Sequence, residues 1–176
     1  MFELYQTNHK GLGTCVEVYI DVDKNIIKRQ FKYNAITCSG QKTSKSAKEI
    51  DKFFENEVYW LKKLDSVWIP KTLNIDMKTK TILQEYSSPS LLEQKNSIPS
   101  DAVDQLVEMY RFFKEKNVFK RNGSMSNLTI KNNQLIAFDF KWATERPAGL
   151  EMELYSYDTW LSKIDCNLPK ILRDLI

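Results

Sequence analysis

Histidine is nearly absent from this 176-residue chain: the single one is His9, within the first ten positions. A histidine-activated serine or cysteine would have to draw on that one ring, so catalytic triads and multi-histidine metal centres are effectively excluded. The three cysteines, Cys15, Cys38 and Cys166, are odd in number, far apart and without a CxxC pair, which argues against a disulfide framework and against a zinc site. No apolar run approaches the roughly 18 residues that span a bilayer, and the opening MFELYQTNHKG lacks a signal-peptide core. The expectation is a cytoplasmic protein (host cytoplasm if viral) with no membrane partner. Charge of one sign is also scarce, at 26 basic against 23 acidic residues, a net +3 that is too mild to mark a nucleic-acid protein without a concentrated basic face.

What is present is globular. Hydrophobic residues make up 42% and charged residues 28% of the chain, enough for one compact domain or two small lobes. The abundance of Lys, Asn and Ile is the bias of an AT-rich bacterial or viral genome.

The first third alternates with a period of two. In residues 14–20, Cys15, Glu17 and Tyr19 fall on one face and Val16, Val18 and Ile20 on the other. Turn formers follow at 21–25, and residues 26–33 resume the pattern, which predicts an antiparallel hairpin. Residues 37–46 are small, polar and basic, and predict a loop. A helix capped by Ser44 or Ser46 follows, with Ile50, Phe53, Phe54, Val58, Leu61 and Leu64 at three- and four-residue steps, stopped by Ile69-Pro70. Short strands are predicted over 73–76 and 81–86. Residues 87–99, with two prolines and four serines, read as a connector. Ser100 and Asp101 open a second helix whose predicted buried stripe is Val103, Leu106, Val107, Tyr110 and Phe113. Residues 128–130 and 135–139 predict a tight hairpin turning at Asn132-Asn133, and short helices are predicted near 155–164 and after Pro169. The element order is α+β, not an alternating parallel sheet.

Several residues carry chemical potential. Glycine permits close backbone approach to phosphate, so Gly11 and Gly13 are candidates, although a GxG alone is usually a turn. Lys28 lies in an apolar strand and Glu57 on the apolar side of the first helix. Each is costly there alone, so the two are expected to satisfy one another. Asp139 ends the apolar strand 135–138, and Asn127 ends a preceding loop. A carboxylate and an amide so placed suit Mg²⁺ beside phosphates.

In this order the parts resemble the protein-kinase superfamily, in the style of its small, divergent bacterial and viral members such as the lipopolysaccharide and aminoglycoside kinases. The resemblance spans roughly residues 10–143. It implies a two-lobed kinase-like fold: a β-rich N-lobe over 1–86 with one main helix, a hinge over 87–99, and a reduced helical C-lobe over 100–176. The family's glycine loop falls on Gly11, Gly13, Val16 and Val18, with Val16 in place of the third glycine. The phosphate-holding lysine falls on Lys28, with Ile26 facing adenine and Glu57 as the helix partner. The adenine-binding hinge falls on Gln84, Glu85 and Tyr86. The pattern HRDxxxxN falls on residues 120–127, which places Lys120 at the histidine, Arg121 at the arginine, Asn122 at the catalytic aspartate and Asn127 at the metal-binding asparagine. DFG falls on Asp139-Phe140-Lys141, and Asp158 resembles the aspartate that braces the catalytic loop.

The resemblance implies ATP and Mg²⁺ as cofactors and a nucleotide as partner. Asn122 can orient a hydroxyl but cannot accept its proton, so phosphotransfer is expected to be weak or lost. The alternative is an active atypical phosphotransferase, with Arg121 or Lys120 steadying the transferred charge. Residues 140–176 leave no room for a full peptide-gripping segment, so its substrate would be small or presented by a protein partner completing the lobe. A third class is nucleic-acid binding through Lys42, Lys45, Lys48 and Lys52. It is disfavoured, because no aromatics interleave those lysines to stack bases.

Overall fold

The alternating strands of the first third, joined by two more from residues 72–85, form a five-stranded antiparallel sheet in the computed structural model. The structure describes residues 1–5, 15–37, 40, 42, 45–91, 98–121, 125–146 and 170. The strands are β1 (Glu3–Leu4), β2 (Val16–Asp21), β3 (Ile26–Phe31), β4 (Thr72–Asp76) and β5 (Thr81–Glu85), in the spatial order β1-β2-β3-β5-β4. Helix α1 (Ala47–Lys63) lies in sequence between β3 and β4. Helix α2 (Ala102–Glu115) is followed by β6 (Val118–Phe119), a 3-10 turn (Met125–Asn127), β7 (Leu128–Lys131), β8 (Gln134–Ala137) and β9 (Thr144–Glu145). No helix among the described residues is long and apolar enough to cross a membrane. The α+β class is therefore what the chain adopts.

The chain divides into two compact units. The first is Met1–Tyr59 with Pro70–Tyr86, and the second is Trp60–Ile69 with Ser87–Ile176.

In the first unit, β2 and β3 pair with Val16 opposite Phe31, Val18 opposite Arg29 and Ile20 opposite Ile27. Opposed residues of an antiparallel pair share a face. Ile82 and Gln84 of β5 join that face through their pairing with Arg29 and Ile27. Val16, Ile20, Phe31, Ile82, Arg29 and Gln84 on it are all buried, and α1 covers it, with Phe54 meeting Phe31 edge-on at 5.5 Å between ring centroids.

Ser46 caps α1. Its hydroxyl accepts the Glu49 N–H (3.3 Å), while the Glu49 carboxylate accepts the Ser46 N–H (3.0 Å) and hydroxyl (2.9 Å). This reciprocal box settles two backbone donors at the helix start. The Ser46 amide and the Lys45 ammonium together hold the Glu49 carboxyl down from an ordinary 4.5 to about 2. A depressed carboxylate supports the fold above its ordinary value and stops doing so as the pH falls through its folded value. Ser46→Ala keeps that amide and Lys45 and removes only the hydroxyl, so it is expected to move the Glu49 titration, followed by NMR, only part of the way back towards the ordinary range. Loss of the cap costs about 1 kcal/mol, or roughly 2–4 °C in Tm at neutral pH.

In the second unit, the β7–β8 hairpin turns at Asn132 and Asn133, both at positive φ (51° and 64°), between the paired residues Lys131 and Gln134. Two consecutive left-handed residues are what a two-residue hairpin loop needs, and asparagine tolerates them. The buried residues of α2 are Ala102, Gln105, Leu106, Met109 and Phe113, so the stripe is rotated from the predicted one, and Val103, Val107 and Tyr110 are only half-buried.

The rotation has a polar cause. Gln105 donates to the Asn133 carbonyl (2.8 Å) and to Asp101 (2.9 Å), and its own carbonyl accepts the Leu135 N–H (2.7 Å). One buried amide thereby ties α2 to the hairpin. The described part of the predicted connector is also anchored. Ser88 donates to the Ile130 carbonyl (2.7 Å), and the N–H of the buried Leu91 donates to the Leu128 carbonyl (2.8 Å).

Candidate functional site

In the first unit the sheet face that meets α1 carries a buried arginine. Arg29 extends from it to Glu57 on α1, and the guanidinium Nη1 donates to Glu57 Oε1 with side-chain exposures of 7% and 0%. Burial at this depth makes each partner obligatory for the other. Glu57 Oε2 is also buried and, among the described residues, has no hydrogen-bond partner.

The expected pairing of Lys28 with Glu57 is corrected: Glu57 takes Arg29. The reason is parity. A strand's side chains alternate, so a one-residue slip reverses the face. Lys28 lies opposite Tyr19 and Leu83 on the other face, its ammonium 4.1 Å from the Tyr19 ring centroid and 5.2 Å from that of Phe2. Ile26 shares the Lys28 face, while Val18 pairs with Arg29 on the opposite one. Because Ile26 and Ile27 start both faces with the same apolar residue, the strand's sequence left its parity ambiguous. The period-two series Ile27, Arg29, Phe31 was the signal that could have decided it.

The Lys28 face carries its own polar network. The Tyr19 hydroxyl donates to Glu17, which also meets the Lys32 ammonium (2.6 Å) and accepts the Ile36 N–H (2.9 Å). Burial pushes the Glu17 carboxyl up, but the Ile36 amide, Lys32 and Tyr19 outweigh it and hold it below the usual range. The same contact with Glu17 drives the Tyr19 phenol up to about 12.

At residues 84–86 the backbone donors are already engaged. The Glu85 N–H donates to the Lys71 carbonyl (2.9 Å) and the Tyr86 N–H to the Asn25 carbonyl (2.8 Å), while the buried Gln84 side chain donates to the Pro70 carbonyl (3.3 Å). Gly11 and Gly13 lie outside the described residues, as do His9, Asn122 and Asp158. Of the lysines considered for nucleic acid, Lys45 is paired with Glu49 at 3.1 Å.

In the second unit, Asn127 and Asp139 flank the β7–β8 hairpin, and the Phe138 N–H donates to the Asn127 carbonyl (3.0 Å). Asn127 is buried, and Asp139 sits at φ 67°, a left-handed conformation that aspartate bears better than most residues. Lys120 is buried, its ammonium 3.3 Å from the Asp139 carbonyl and 5.1 Å from the Phe140 ring centroid. It thus tethers the backbone of the turn, while its neighbour Arg121 is exposed. Lys141, also buried, sets its ammonium on both oxygens of the Asp139 carboxylate.

Family models and curated proteins offer no match to this chain. The chemistry rests on its own residues.

The donor set does not suit Mg²⁺. That ion demands near-octahedral oxygens and is normally held by one or two free carboxylates. Here the carboxylate of Asp139 is covered by an ammonium, and among the described residues no three His, Cys, Asp or Glu come together. Each unit thus holds a buried ion pair, Arg29–Glu57 in the first and Lys141–Asp139 in the second, the latter beside the buried ammonium of Lys120.

Proposed function

We propose that this chain is a protein-kinase-like module that binds a purine nucleotide, ATP in the first instance, and in which phosphotransfer is weak or lost. The Arg29–Glu57 ion pair carries the reading. Kinases hold the nucleotide phosphates with a strand cation braced by a helix glutamate. A cation on β3, a glutamate on the helix between β3 and β4, and burial of both reproduce that relation, with arginine as the cation one position after the expected lysine. Arginine presents a planar fork that suits phosphate oxygens as well as carboxylate.

The second unit supports the reading by order: helix α2, a loop ending in Asn127, the hairpin, then Asp139-Phe140. It also supports the loss of transfer. Asn122 cannot serve as a base, and Lys141 engages the carboxylate that the resemblance implies for metal.

Calorimetric titration with ATP tests the reading. Saturable binding is expected, with a rise in Tm of about 5–10 °C at a hundredfold excess over Kd. Labelled-phosphate turnover is expected to stay at background, in Asn122→Asp as well as in the natural chain, because Asp139 remains engaged. No binding heat and no thermal shift would overturn nucleotide binding. Transfer above background would overturn its loss.

A further inference from the structure

An aspartate after an apolar strand, with an asparagine beside it, is a common way to hold a divalent cation against phosphate. In this chain that carboxylate is not open. The Lys141 ammonium contacts both Asp139 oxygens, and the two side chains are 3% and 13% exposed. Lys141 lies two residues beyond Asp139, in a turn closed by the Ala143 N–H on the Phe140 carbonyl (2.9 Å). The positive φ of Asp139 turns the backbone so that its carboxylate and the Lys141 ammonium meet within that turn, and Lys120 holds the Asp139 carbonyl from the other side.

We propose that Lys141 is a built-in replacement for the divalent cation, so that the Asp139 turn binds no Mg²⁺ and this chain's nucleotide binding needs none. The part concerning nucleotide rests on the function proposed above; the part concerning metal does not.

Three physical points carry it. An ammonium supplies three donors and one positive charge, enough to neutralise the carboxylate and leave it without the free oxygen a metal requires. The pair is short-range in sequence and buried, so its geometry is held by the turn itself rather than by a long flexible reach. A hydrated Mg²⁺, which sheds its water reluctantly, would also have to expel a buried ammonium from the carboxylate.

Polyphosphate charge would then be met by the chain's own cations. That makes the expected ligand the free nucleotide rather than its metal complex.

The metal arm of the test uses Mn²⁺ alone, followed by electron paramagnetic resonance on the nucleotide-free protein. The natural chain is expected to bind no Mn²⁺ that Asp139→Asn removes. Bound Mn²⁺ lost in an Asp139→Asn protein that keeps its circular dichroism and cooperative melting would overturn the proposal. Lys141→Met, which keeps the length of the side chain without its charge, is expected to gain Mn²⁺ affinity at least tenfold. A Lys141→Met protein that keeps its circular dichroism and cooperative melting but gains nothing would also overturn it.

The nucleotide arm compares ATP affinity in EDTA with affinity in excess Mg²⁺. Equal values within about twofold support the proposal, and a tenfold or greater advantage for Mg²⁺ overturns it. If ATP binds in neither condition, the nucleotide-binding reading fails, and the Mn²⁺ result alone decides the role of Lys141.

Discussion

Replacing Glu57 by leucine is expected to lower Tm by about 6–20 °C, the equivalent of roughly 3–5 kcal/mol. The loss comes from the partner left behind: Arg29 is 7% exposed at its side chain and would keep a full charge without the carboxylate that Glu57 supplies. Arg29→Met is expected to cost a similar amount by stranding Glu57, which is fully buried. The double variant Arg29→Met/Glu57→Leu is expected to return to within about 1 kcal/mol of the natural chain, because a buried pair replaced by apolar residues of similar volume is often neutral or better. The orphaned Glu57 Oε2 strengthens that expectation, since the native pair leaves one buried acceptor without a hydrogen bond. Thermal melts of the three proteins provide the cycle. Additive losses in the double variant would show that the two residues act independently. If the double variant melts normally yet no longer takes up ATP, the pair serves the ligand rather than the fold.

Trp60→Ala is expected to have an effect of the same size in the second unit, about 3–5 kcal/mol. Trp60 is 1% exposed and heads the largest fully buried side chains. It also does more than fill space: its indole N–H donates to the Ala143 carbonyl (3.0 Å), just before β9 pairs with β6 through Thr144 opposite Phe119 and Glu145 opposite Val118. Trp60→Phe separates the two contributions. It keeps much of the volume but leaves the buried Ala143 carbonyl without that donor, a cost of about 1–3 kcal/mol. Hydrogen exchange is expected to speed up at the β6–β9 amides in both variants and further in the alanine one. Unchanged exchange there would mean that the indole contact does not hold β9.

Long periodic elements were legible without coordinates. The alternation of 14–20 predicted β2 with its faces correctly sorted, and the three- and four-residue steps of 50–64 predicted α1. Ser46 with Glu49 three residues on is a helix-start signature, and Asn132-Asn133 is a turn signature; both act through local geometry, which the chain carries wherever it is placed. The two-residue strands β1, β6 and β9 were not legible, because a pair of residues has no period and forms a strand only when a partner backbone arrives. The 87–99 stretch has a linker's composition, yet Ser88 and Leu91 are tied to β7 by hydrogen bonds that only its folded position supplies.

The scarcity of histidine and the order of charged residues along the chain thus determined by themselves which chemistries were open: no triad, no multi-histidine metal site, and a set of cations, amides and carboxylates. Which of those groups meet was a tertiary decision. Strand parity sent Arg29 to Glu57 and Lys28 to Tyr19, since neighbouring side chains on a strand point to opposite faces. The left-handed turn at Asp139 closed its carboxylate onto Lys141, turning a residue that reads as a metal ligand into half of a buried ion pair. A sequence lists charges; the free energy of burying them makes each one find a partner, and that choice depends on directions only the folded backbone sets.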